Sequence, residues 1–242
     1  MDIQLAVAKT NKYASRESGD TVEVVERPNG GFSVVLVDAQ GSGASAKIIS
    51  HLVTAKAISM IKEGARDGVV ARSVNDYLHV YRGGKVSATL VIVSVDLNTR
   101  TLVLSRNSHC PIIIALPNQE ELTILQDEAN PIGTYPLTKP VIAEIPLQAG
   151  TYLVTYSDGL MEAGKRDNRP IDITMLFRQA ITNELHTAQA LADYIFGHAL
   201  EADANRPADD MSVLVLTINE RTEPEPGKTV PQVRQFEMKV PV

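Results

Sequence analysis

Four short stretches place an aspartate beside a small residue where an apolar run gives out: Ser18-Gly19-Asp20, Asp38-Ala39-Gln40-Gly41-Ser42-Gly43, Ser157-Asp158-Gly159 and Asp209-Asp210-Met211-Ser212. A carboxylate at a strand end is carried by stiff backbone, and an adjacent glycine lets a ligand approach the main chain. Taken singly, an Asp beside a Gly at a strand end is usually a turn or a helix N-cap. Taken together they suggest another chemistry. Two carboxylates brought to about 4 Å repel by roughly 4 kcal/mol even at an effective dielectric of 20. No lysine or arginine lies inside the motifs, so convergence of the four would call for divalent cations. All-oxygen ligation selects Mg²⁺ or Mn²⁺ over zinc or copper.

The elements that must position these acids are mostly strands. Residues 22–27 (VEVVER) and 32–38 (FSVVLVD) flank Pro28-Asn29-Gly30-Gly31, a hairpin signal. Residues 87–96 and 100–105 flank Leu97-Asn98-Thr99, and Pro111 to Leu116 continues as a further strand. Strands are also expected over 140–146, 151–156 and 212–218, with Gln148-Ala149-Gly150 as the turn between the first two.

Helical spacing predicts a long helix over 43–63, with Ile48, Ile49, Leu52, Val53, Ile58 and Ile61 mostly on one side and Gly64 at its end. A shorter helix is expected over about 68–79, with Val74, Leu78 and the following Val80 apolar. Two more follow Pro170, over 172–183 and 187–203, with Leu176, Phe177, Leu191, Tyr194, Ile195 and Leu200 as inward candidates. The order lacks the βαβα alternation of a parallel doubly wound sheet and points to an α+β chain of mostly antiparallel sheets with segregated helices. Beyond 219 the prolines imply an extended connector, and VRQFEMKV is a possible edge strand.

Composition narrows the partners. A chain of 242 residues with 44% hydrophobic content suits one large domain. A net charge of -6 argues against nucleic acid or an anionic membrane as the main partner, and the absence of Trp argues against base stacking. The single cysteine, Cys110, the lack of a Cys/His zinc pattern and the lack of a leader or a membrane-length apolar run suggest a soluble cytoplasmic protein.

The ordered set of motifs carries a resemblance. GD at 19–20, VDAQGSG at 37–43, SATLVIVSVD at 87–96, NSHCPIII at 107–114, NPIG at 130–133, TYSDGLMEA at 155–163 and DDMSVLVL at 209–216 resemble the metal-dependent protein phosphatases (PPM, type 2C), specifically the SpoIIE-like branch. Within it the chain is most similar to RsbX/RsbU-type serine/threonine phosphatases. The resemblance covers about 15–218, within a single phosphatase domain spanning 1–242. It implies an αββα sandwich of two sheets flanked by helices, with two Mn²⁺ or Mg²⁺ ions at one end. Asp38 would bridge both ions with the Ala39 carbonyl as a further ligand, and Asp158 and Asp209 would complete one of them. Asp20 would serve directly or through water. The implied reaction is hydrolysis of phosphoserine or phosphothreonine by an ion-activated water, on a regulatory protein of the STAS-type anti-sigma antagonist or stressosome kind.

Several neighbours have two readings. Asp210 and Gly159 would support the ligands from behind, although Asp210 reads slightly better as a solvated turn residue. His109 stands at the histidine of the family's GHxP motif, with Ser108 in place of its glycine, and is either a proton-transfer group or a structural one. Arg16, four residues before Asp20, is either a phosphate clamp or a solvated arginine in a polar run. Cys110 reads as buried packing, and Gly41-Ser42-Gly43 lacks the Lys-Ser/Thr of a P-loop. Ala39, where the family has glycine, and Ser108 leave room for a non-catalytic scaffold of the same fold. A small-molecule phosphoester hydrolase is the third reading.

Overall fold

In a computed structural model the structure describes residues 1–221 together with 234, 235, 238 and 239. Among the described residues ten strands form two five-stranded sheets. One contains β1 (Asp2–Thr10), β10 (Met211–Asn219), β9 (Thr151–Tyr156), β6 (Ile112–Ala115) and β7 (Thr123–Leu125), in that order. The other runs β2 (Asp20–Glu26), β3 (Gly31–Ala39), β4 (Ala88–Asp96), β5 (Thr101–Asn107) and β8 (Val141–Pro146). Every pairing in both sheets is antiparallel.

Period-two alternation divides each strand between two cores. Val34 and Leu36 of β3, with Val91, Val93, Leu102 and Leu104, meet Ile112, Ile114, Leu153, Leu214 and Leu216 of the opposite sheet. The alternate residues Val35, Val37 and Ala39 face α1 (Gly43–Lys62) and α2 (Asp67–Arg82), through Ala46, Ile49, Val53, Ala57, Ile61, Val74 and Leu78. On the far side α4 (Ile173–Thr182) and α5 (Ala188–Ala202) cover the first sheet with Leu176, Phe177, Leu191 and Ile195 against Val154, Val213 and Val215. Helices, sheet, sheet and helices make the expected αββα sandwich. A fully buried Val, Leu or Ile contributes about 1.5–3 kcal/mol, so the three apolar cores between these layers dominate the fold's stability.

Most expected elements fall within a residue or two of their place, and the first hairpin turns through Gly30 and Gly31, both at positive φ. The differences are instructive. Gln148-Ala149-Gly150 is no hairpin turn: β8 pairs with β5 and β9 with β10 and β6, so this turn carries the chain from one sheet to the other. The break before Pro111 is a second crossing, between β5 and β6. Ile48 and Val80 are exposed, because the small residues Ala46, Ala57 and Ala71 let the helices lie close on their other faces. Tyr194 and Leu200 are half-buried. β1, unforeseen in the sequence, extends the core upstream of residue 15, and β7 and the one-turn helix α3 (Asp158–Met161) were also unforeseen. The edge strand expected at 233–240 lies for the most part outside the described residues. Among the described residues no helix is long and apolar enough to cross a membrane.

Candidate metal centre

The acids are gathered by register. Because Val34 and Leu36 face the opposite sheet, Asp38 points the same way from the end of β3. Asp20 begins β2 and lies directly opposite Asp38 in the antiparallel pair, a placement that brings Cβ atoms to about 4.5–5.5 Å. From the other sheet, Asp158 follows β9 and opens α3, while Asp209 and Asp210 precede β10. Since β9 and β10 are neighbours, their ends are laced together. The Ser157 N–H donates to the Ser212 carbonyl at 3.0 Å, and the Ser212 N–H donates to Ser157 Oγ at 2.9 Å.

The two sheets are joined at the acids themselves. Ser212 Oγ donates to Asp20 Oδ2 at 2.6 Å, and the Ser157 hydroxyl also favours the Asp20 carboxylate. Gly159 lets the turn that carries Asp158 pack against the Asp209–Asp210 backbone, because a Cβ at this position would lie 2.1 Å from the Asp210 carbonyl oxygen. No side chain fits there.

Charge accumulates with little to offset it. Burial, reinforced by Asp210 and opposed by the serine hydroxyls, raises the Asp20 carboxyl to about 6. Asp38 is pushed up to about 9 by burial first, then by the charges of Asp20 and Asp158, a hydrogen bond shared with Asp158, and the charge of Asp209. Two cations stand nearby that sequence reading had not brought to the site. Lys9 Nζ and Lys47 Nζ both donate to the Asp20 main-chain carbonyl, at 3.0 and 3.1 Å. They bind the backbone rather than the carboxylate, and come from β1 and α1, outside the motifs.

Asp210 corrects the sequence expectation. It is no solvated turn residue but is buried, with Oδ1 accepting from the Lys12 N–H at 2.8 Å and Oδ2 from the Gly19 N–H at 2.7 Å. It thereby fastens both ends of the loop that carries Arg16 between β1 and β2. Arg16 itself is exposed, with no ion pair among the described residues. His109 is exposed at the sheet crossing and has no hydrogen bond among the described residues. Cys110 beside it is buried, and burial, with Asp158, Asp38 and Asp20 nearby, pushes its thiol far up, in keeping with packing.

The departures at Ala39 and Ser108 are accommodated. Ala39 keeps strand conformation and places its methyl in the α1 core, leaving its carbonyl toward Gly19. Ser108 is buried, with Oγ accepting from the Cys110 N–H at 3.1 Å and its carbonyl accepting from Arg106 Nη1.

The donor set fits a hard divalent ion in its chemistry: carboxylate and carbonyl oxygens, an excess of negative charge that is buried at Asp20 and half-buried at Asp38, Asp158 and Asp209, and, among the described residues, no cation hydrogen-bonded to those carboxylates. The acids meet in pairs, however. Among the described residues no three His, Cys, Asp or Glu side chains close on one point as a ready coordination shell.

An αββα sandwich with aspartates converging at one end defines the class of the type 2C phosphatase fold. Residues 28–219 match the family model described as Stage II sporulation protein E (SpoIIE), and the chain belongs to that family. It is 21% identical to Stage II sporulation protein E of Bacillus subtilis (strain 168) over 239 residues, which is 98% of this chain and 28% of that protein. The chain thus spans under a third of the length of that relative. Among solved structures, the PP2C phosphatase domain of SpoIIE from Bacillus subtilis with a fragment of its regulatory domain superposes with a TM-score of 0.76 at 21% identity, covering 90% of this chain and 64% of that one. RsbX in complex with magnesium superposes with a TM-score of 0.67 at 16% identity, covering 88% and 94%.

Proposed function

We propose that this chain is a metal-dependent serine/threonine protein phosphatase acting on a phosphorylated regulatory protein in the cytoplasm. The observation that carries the reading is the half-buried Asp38 carboxylate, hydrogen-bonded with Asp158 and opposite Asp20, in a cluster whose charge only cations would offset. Asp20, Asp38, Asp158 and Asp209, with the Ala39 carbonyl, would hold the Mn²⁺ or Mg²⁺ ions, two by analogy with the family pattern. When bound, these would supply the Lewis-acid charge that makes water nucleophilic toward phosphorus. The rest falls to the chain. Ser212 and Ser157 hold Asp20 in one orientation, Gly159 admits Asp158, and Asp210 fixes the Arg16 loop, from which a guanidinium would take two phosphoryl oxygens. His109, exposed at the rim, would be open to a proton transfer. A STAS-type antagonist or stressosome component is the partner class the family suggests.

Release of phosphate from a phosphoserine STAS-type protein, measured with and without Mn²⁺, tests the reading. Activity that requires Mn²⁺ and is lost in Asp38→Asn and Asp158→Asn is expected; equal rates in wild type and both variants would sink it. One observation favours a second reading: the acids do not form a closed shell among the described residues, as in a scaffold that binds partners without hydrolysis. Turnover of the same substrate separates the two.

A further inference from the structure

Two loops meet beside the acid cluster: residues 11–19, between β1 and β2, and residues 203–210, between α5 and β10. They are fastened to each other. The Tyr13 N–H donates to the Pro207 carbonyl at 2.9 Å, and Asp210 takes the N–H groups of Lys12 and Gly19. The second loop is also fixed from within by the buried Asp203, whose two oxygens accept from the Gly164 N–H at 2.7 Å and the Ala208 N–H at 2.9 Å.

On this frame the Arg206 guanidinium lies over the Tyr13 ring, 5.4 Å from its centroid, within the range of a cation–π contact. Both residues are exposed, Tyr13 at 58%. Among the described residues the guanidinium has no hydrogen bond and no ion pair. Its acidic neighbours are engaged elsewhere. Asp203 is spent on main-chain N–H groups, and Glu17, the one acid of the facing loop, stands close enough to His51 for its charge to be felt there. Contact with the ring restricts the guanidinium while leaving its in-plane N–H groups unspent, and these can take a carboxylate in two parallel bonds. An arginine held in this way loses less side-chain freedom on binding than a solvated one.

The position suits a substrate of the acid cluster. Arg206 precedes Asp209 by three residues, so their Cα atoms lie at most about 11 Å apart. An extended chain rises about 3.3 Å per residue, so a group held by Arg206 comes within about three residues of one whose phosphoryl group meets the acids. The metal ions and Arg16 would take the phosphoryl group itself, which leaves Arg206 for a second anion. Once ions offset the cluster, this corner presents Lys9, Lys12, Arg16, Lys47 and Arg206 in a chain whose net charge is -6. An acidic segment is therefore drawn to this corner and repelled by the remaining surface.

We propose that Arg206, stacked on Tyr13, sets sequence preference by binding a carboxylate side chain of the substrate protein within about three residues of the phosphorylated one. The inference rests on the phosphatase reading, whose substrate it narrows to segments with acidic residues flanking the phosphorylated position.

Two peptides test this on the full chain with Mn²⁺ present. Each carries a non-hydrolysable phosphonate analogue of phosphoserine, flanked on both sides by three aspartates in one and by three asparagines in the other. Fluorescence anisotropy is expected to show the aspartate peptide bound about tenfold more tightly, a difference that shrinks in high salt. It should fall to about twofold or less in Arg206→Gln, weaken in Tyr13→Leu and persist in Tyr13→Phe, which keeps the ring. Arg100→Gln, an equal loss of charge on the exposed turn between β4 and β5, should leave it in place. With the matching phosphoserine peptides, the same ratio should appear in KM for phosphate release, with kcat unchanged. Equal binding of both peptides by the wild-type chain would overturn the proposal, as would a preference that survives Arg206→Gln or falls equally in Arg100→Gln. Preference through Arg206 without any release of phosphate would uphold the docking and remove the phosphatase reading. Release at equal KM from both peptides would do the reverse.

Discussion

Replacing Asp210 by Asn removes one charge and one acceptor from a buried site while keeping its volume. Asp210 is 4% exposed, and its two oxygens each accept a backbone N–H, from Lys12 at 2.8 Å and Gly19 at 2.7 Å. An asparagine side chain retains one of these bonds and turns its amide NH₂ toward the other donor. A hydrogen bond to a charged group contributes about 1.5–3 kcal/mol, so a loss of that size is expected. For a chain of this length, 1 kcal/mol moves Tm by about 2–4 °C, which puts the fall at roughly 3–12 °C. Thermal unfolding and urea titration should agree, the latter with an unchanged m-value. Because the freed loop begins next to Asp20, Mn²⁺ affinity should fall as well. An unaltered Tm would refute the claim that this acid, rather than solvent, holds the loop.

Further expectations concern the same end of the molecule. Gly159→Ala must displace the Asp209-Asp210 backbone from 2.1 Å, costing about 1–3 kcal/mol or more in urea unfolding, and it should reduce Mn²⁺ binding. Ser212→Ala removes a 2.6 Å bond to Asp20, so calorimetry should show weaker Mn²⁺ binding with the fold intact by circular dichroism. Stability without metal should fall as pH rises. Asp20 and Asp38 keep their protons in the folded chain to about 6 and about 9, whereas unfolded carboxyls lose them near 3.8. Their contribution is therefore full below pH 3.8 and is lost as pH climbs through 6 and then 9, at up to about 1.4 kcal/mol per pH unit for each group. A flat urea midpoint between pH 4 and 9 would contradict these shifts. Added Mn²⁺ should reverse the decline.

Sequence patterns carried much of this arrangement because β3, β4 and β10, buried on both faces, read as near-continuous β-branched and apolar runs bounded by turn residues. The four principal acids were legible because each sits at a strand end beside a small residue. What sequence could not show was pairing between distant strands. The segments around Pro111 and Gln148 read as ordinary breaks, and only the sheet order shows that both are crossings. β1 escaped because its mixed Asp2–Thr10 pattern is half-exposed on an edge, and it gains its place from β10. Asp210 looked solvated because its partners, Lys12 and Gly19, lie almost two hundred residues away. Lys9 and Lys47 were missed because they lie on other elements, β1 and α1, and meet the Asp20 carbonyl only once those elements pack beside β2.

Titration of the metal-free full chain with Mn²⁺ by calorimetry, run in parallel on Asp38→Asn, tests the central claim most directly. Saturable binding near neutral pH with release of protons, abolished or strongly weakened by Asp38→Asn, is the predicted result. Absence of binding in the wild-type chain, or equal binding in both, would contradict it.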